Sequence, residues 1–115
     1  MKSSKLVERE RAEVGSGNIF ADLGLPNPEE CLLKSHLVHV LSVEIRKRNL
    51  TQQNAASLAG ISQPELSRLT HGRFDGFSID RLFSVVKSFG VNIEITISPS
   101  LAQGGQGHLR IREVA

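Results

Sequence analysis

Four stretches of the chain carry apolar residues at helical spacing, and one near the C-terminus carries them at alternate positions. From Asn27 to about Arg48, Leu33, Leu37, Leu41 and Ile45 form one stripe with Val38 and Val40 beside it, the pattern of a helix with one face in a core. Asn27-Pro28-Glu29-Glu30 is its start: an N-cap residue, a proline in the first turn where no N–H is needed, then two carboxylates near the positive end of the helix dipole. Arg46, Lys47 and Arg48 suit the opposite end, and the same charges could sit beside a phosphate.

The next two stretches are short and close together. Leu50 to Gly72 reads LTQQNAASLAGISQPELSRLTHG. Thr51 is an N-cap for a helix whose small apolar face is Ala55, Ala56, Leu58 and Ala59, and Gly60 stands where a left-handed residue ends a helix. Ser62 with Glu65 three residues later is a capping box, and Pro64 falls in the first turn. Leu66 and Leu69 then point one way, while Gln63, Pro64, Ser67, Arg68 and His71 share the other face. Two helices crossing steeply need a small residue at the crossing, which Ala56 supplies, and a turn residue tolerant of positive φ, which Gly60 supplies. Ala55, Ala59, Ile61, Leu66 and Leu69 would hold the second helix to the domain with its polar face outward. That is the arrangement by which a helix-turn-helix offers a recognition helix to the DNA major groove.

Phe74 and Phe77 should anchor the following loop, with Gly76 permitting a turn. Ser78 caps a fourth helix with Ile79, Leu82, Phe83, Val86 and Phe89 as its buried stripe, closed by Gly90. The period then changes. Val91, Ile93, Ile95 and Ile97 alternate with Asn92, Glu94, Thr96 and Ser98, which predicts a strand ended by Pro99. A strand needs a partner. One candidate is His108 to Val114, reached through the QGGQG loop; the other is the same strand of a second subunit, antiparallel across a two-fold axis. A long Gly-rich connection makes a poor hairpin turn, which favours the second. The expected fold is therefore mainly α, a helix-turn-helix bundle with a C-terminal β-strand that pairs across a dimer.

Three segments follow from this reading. Residues 1–17 are polar and charged and read as a flexible N-terminal arm; residues 18–99 form the domain; residues 100–115 are a Gly-rich tail with room for a short extra strand. Within the second segment, Asn18 to Leu25 (NIFADLGL) is too apolar for water and is expected to pack as a short turn.

Composition narrows the function. A chain of 115 residues suits one domain, and with five Phe but no Trp or Tyr its core must be mostly aliphatic. The net charge is only +2, yet Val43 to Gly90 holds seven basic and four acidic residues, a local surplus of +3 that suits phosphate contacts. The lone Cys31 excludes an internal disulfide and a multi-cysteine zinc site. His36 and His39 lack an accompanying ligand at metal spacing, and no phosphate-binding loop, nucleophile elbow or other catalytic constellation is present. No enzyme activity, cofactor or metal is expected. With no apolar run long enough to span a membrane and no secretion signal, the expected location is the cytoplasm.

At LTQQNAASLAGISQPELSRLTHG the chain resembles the Cro and lambda-repressor type of helix-turn-helix, the XRE type. The wider run of NIFADLGLPNPEE, the long helix, the motif, GRFDGFSIDRLFSVV and VNIEITI is similar to a family of small regulators that includes HigA-like antitoxins of bacterial toxin–antitoxin modules. The resemblance implies a lambda-repressor-like bundle acting as a homodimer on double-stranded, palindromic operator DNA. It implies phosphate contacts from Gln52 and Ser62, and base contacts from Gln63, Pro64, Ser67 and Arg68, the last able to pair bidentately with guanine; Arg73, just beyond the recognition helix, is placed to reach the phosphate backbone as well. Pro64 stands where several repressors carry a polar residue, which leaves it an apolar contact to a thymine methyl. A cognate ribonuclease toxin is the implied protein partner, and the complex would repress its own operon. Two other uses of the same fold are a protein-interaction module and a stand-alone phage-type regulator without a toxin.

Overall fold

The computed structural model describes residues 27–100 and 105–114. Its helices, in chain order, are α1 (Pro28–Lys47), α2 (Gln52–Ala59), α3 (Gln63–Thr70) and α4 (Ile79–Lys87). The predicted arm (1–17) and the apolar segment at 18–25 lie outside the described residues, as do residues 101–104 of the tail.

The chain divides into two compact units. Lys34–Ser98 holds most of α1 and all of α2 to α4; the other unit combines Met1–Leu33 with Pro99–Ala115. In the first, Leu37, Val38, Leu41 and Ile45 from α1 are buried, as are Ala55 and Ala56 of α2 and Leu66 and Leu69 of α3. Phe77 and the α4 face of Leu82, Val85 and Val86, with Phe89 beyond it, complete this core. Both alanines are buried, Ala56 being the small residue that the sequence placed at the helix crossing. Leu58 departs from that prediction: it stays 42% exposed, because an eight-residue helix turns only Ala55 and Ala56 fully inward.

Local signals set the helix ends. Asn27 accepts the first helical bond of α1, from the Cys31 amide at 3.0 Å, and does so with a positive φ of 51°, which an asparagine tolerates better than most residues. Thr51 Oγ1 accepts from the Asn54 amide at 3.0 Å, and Ser78 Oγ from the Arg81 amide at 3.2 Å. Gly60, with φ +73°, closes α2 in the left-handed conformation, so three residues suffice to start α3. At its far end α1 is tied to the close of α4. Arg48 donates to the carbonyl of Phe89 and lies over that ring, while Glu44 takes Lys47 at 3.2 Å and Arg48 at 3.4 Å. Of the basic cluster, Arg48 therefore serves packing within the unit, while Arg46 and Lys47 are exposed.

The expected C-terminal strand is not formed. Among the described residues there is no β-strand, and 91–98 has no ladder, so Val91, Ile93, Ile95 and Ile97 do not make the dimer strand that their alternation suggested. Alternation marks a segment able to pair; it supplies no amide or carbonyl to pair with. Val91 and Ile93 are half-buried, whereas Ile95 and Ile97 are 71% and 91% exposed. The candidate hairpin arm has other bonds. Glu29 takes the Leu109 amide at 3.1 Å and His108 Nδ1 at 2.9 Å, and the Leu109 bond first, then His108, holds the Glu29 carboxyl below its usual value. The fold is a helical helix-turn-helix bundle. No helix among the described residues is long and apolar enough to cross a membrane.

Candidate nucleic-acid interface

Residue choice fixes where α3 begins and which way it faces. The Ser62 side chain accepts from the Glu65 amide at 3.2 Å, and the Glu65 carboxylate accepts from the Ser62 amide at 3.0 Å, completing the predicted capping box. Leu66 and Leu69 are wholly buried and set the helix's roll. At roughly 100° per residue, Gln63, Ser67, His71 and Pro64 fall within about 100° of one another, opposite the two leucines. Gln63, Pro64 and His71 are exposed and Ser67 is half-buried, its carbonyl lying 2.7 Å from His71 Nδ1.

Thus Gln63, Pro64, Ser67 and Arg68 are brought together on one helix, with Ser62 as its cap. Arg73 is exposed just beyond the end, its amide bonded to the Arg68 carbonyl at 2.9 Å. Gln52 is exposed at the first position of α2. Arg68 is the exception in orientation. Its Nη2 donates to the Asp75 carbonyl at 3.0 Å and its guanidinium carbon lies 5.7 Å from the centroid of the Phe77 ring.

The sequence did not single out Arg81. Its Nη2 donates to Glu65 Oε2 at 2.7 Å and its guanidinium carbon lies 4.6 Å from the Phe77 centroid, so the capping carboxylate of α3 is also an ion-pair partner for α4. Nothing at a spacing of sixteen residues announces this pair in the sequence. The Glu65 carboxyl is held down to about 2, first by the Ser62 amide and then by Arg81. A carboxyl lowered on folding stabilises fully above its ordinary value of 4.5, and that contribution is lost as pH falls toward 2. Gln at this position can keep the capping box but not the charge. Glu65→Gln is therefore expected to lower the thermal midpoint at neutral pH and to shrink its difference from wild type between pH 4.5 and 2. A constant difference across that range would show that the charge contributes nothing.

The comparisons agree with this geometry. A family model described as a helix-turn-helix domain matches residues 19–98, more than half of the chain. Among solved structures, one titled as an XRE-family transcriptional regulator is similar at a TM-score of 0.69 and 29% identity, over 75% of this chain and 97% of that one. No curated protein matches the chain. With the capped two-helix unit and a family match spanning the whole described helical bundle, the chain belongs to the helix-turn-helix domain family.

Proposed function

We propose that this protein is a sequence-specific DNA-binding transcriptional repressor that acts as a homodimer on a palindromic operator. The observation that carries the reading is α3 itself, an eight-residue helix capped at its start, anchored by two buried leucines and presenting Gln63, Pro64 and Ser67 outward. The solved relative titled as an XRE-family regulator supports the same class. One such helix spans few base pairs, and two related by a two-fold would read half-sites about one helical turn apart. Gln63 and Ser67 hydrogen-bond base edges, Pro64 offers an apolar surface, and Gln52, Ser62 and Arg73 hold the phosphates. The finer biological reading is an antitoxin of a type II module that represses its own operon with a ribonuclease toxin as partner. It rests on the likeness to HigA-like regulators in the wider sequence, and co-purification with the product of a neighbouring ribonuclease gene would test it.

Fluorescence anisotropy tests the core of the proposal, using a labelled duplex from the gene's upstream region, a scrambled duplex and two salt concentrations. Wild type is expected to prefer the native duplex and to weaken steeply with salt. Gln63→Ala should lose about 1–3 kcal/mol on the native duplex alone. Arg73→Ala should weaken both duplexes alike and flatten the salt slope by about one. Equal, salt-insensitive binding to both duplexes would instead assign the fold to a protein partner.

A further inference from the structure

The outward arc of α3 and the direction of its largest side chain do not coincide. Glu65 and Arg68 are three residues apart, and both reach onto the segments that follow the helix. Glu65 takes Arg81 of α4, and Arg68 takes the carbonyl of Asp75 in the connecting loop. Phe77, only 2% exposed, lies between these contacts with a guanidinium near its ring from each arginine. The loop is shaped for the approach. Gly76 has a φ of +85°, which favours glycine, and the turn it makes brings the Asp75 carbonyl within reach of Arg68.

We propose that Arg68 is a positioning residue of the DNA-reading surface, one arm of a Phe77-centred clasp whose other arm is the Glu65–Arg81 pair, and that base discrimination falls to Gln63, Pro64 and Ser67. This rests on the DNA-reading function proposed above and refines it. Around the helix Arg68 lies about 140° from Gln63, at the margin of the outward arc and next to Glu65. Reading guanine requires two parallel N–H groups directed at O6 and N7 from an extended side chain. Here the guanidinium is folded toward the loop, one nitrogen committed to a carbonyl and the cation placed near an aromatic ring, and extending it would break both contacts. The two arms leave α3 about 60° apart around its axis and meet the loop at Asp75 and the first turn of α4 at Arg81. Together they tie α3, whose roll Leu66 and Leu69 set, to the loop and to α4, and so bear on where Gln63 and Ser67 are delivered.

Lysine separates the roles. It can keep one donor on the Asp75 carbonyl and a cation near Phe77, but it lacks the planar fork that reads guanine. The test recovers preferred duplexes from a randomised pool with the intact wild-type protein, Arg68→Lys, Arg68→Met and Gln63→Ala. A thermal-unfolding cycle combines Arg68→Met with Phe77→Leu, a substitution milder than truncation. Positioning predicts that wild type and Arg68→Lys recover the same preferred sequence. Arg68→Met should keep the same preferred sequence at every base pair while losing about two- to fivefold in affinity on that duplex, the scale of one exposed cation–π contact, with a smaller loss on the scrambled duplex. Gln63→Ala should lose its preference at one base pair per half-site. In the unfolding cycle, the midpoint loss caused by Arg68→Met should shrink in the Phe77→Leu background. Loss of preference at a single base pair in Arg68→Lys and Arg68→Met, with scrambled-duplex affinity unchanged, would make Arg68 a base reader and overturn the proposal. A wild type that selects no sequence would refute the DNA reading instead. The unfolding cycle would then decide the clasp alone, strictly additive losses rejecting it and coupled losses upholding it.

Discussion

Phe77→Ala is expected to remove about 3–5 kcal/mol of folding stability, the cost of truncating a buried aromatic ring. The ring is 2% exposed, and it carries the connection between α3 and α4 while lying near the guanidinium groups of Arg68 and Arg81. Truncation would leave a cavity and remove the surface near which both cations lie. Small domains are stable by only about 5–15 kcal/mol, so a loss of this size consumes much of the reserve. The chain has no Trp and no Tyr, so the urea midpoint should be followed by far-UV circular dichroism. A shift equivalent to less than about 1 kcal/mol, the scale of an ordinary substitution, would show that Phe77 is not the hub that its contacts suggest.

Ala55→Leu should be nearly as damaging for the opposite reason. Ala55 is completely buried in α2, so a larger side chain there must be taken into a packed core. Overpacking typically costs about 1–3 kcal/mol, and here the added volume pushes between the helices of the motif. Stability and DNA affinity are expected to fall together, because any displacement of α3 carries Gln63 and Ser67 with it. Ser57→Leu supplies the control: the same side chain on the exposed side of the same helix should change stability by no more than about 0.5 kcal/mol. Equal effects of the two leucines would mean that packing at Ala55 does not matter.

What the sequence disclosed was mostly local. The caps at Thr51, Ser62 and Ser78 each join residues three apart, and the structure forms all three. The leucine stripe of α1 and the buried Leu66 and Leu69 follow from helical period alone. Val85 escaped because it lies beside the Leu82–Val86–Phe89 stripe, and the packing of neighbouring helices widened the buried face to include it. The strand failed for a different reason: alternation is intrinsic to a segment, but pairing belongs to two. The surface residues were found by their spacing on α3, whereas the direction taken by Arg68 depends on a carbonyl seven residues away and on a loop whose path the sequence does not spell out. Arg81 was overlooked on the same grounds.

The brevity of α2 and α3, eight residues each, has a thermodynamic consequence. Helices of that length are marginal by themselves in water, so neither persists without the leucines and alanines that bind it to the rest of the bundle. Recognition and folding then draw on the same equilibrium. An operator that engages only the folded form would raise the melting temperature in proportion to the logarithm of its free concentration once that concentration exceeds Kd. A cell that lowers the concentration of folded protein, by proteolysis or by heat, would vacate the operator without any separate release signal.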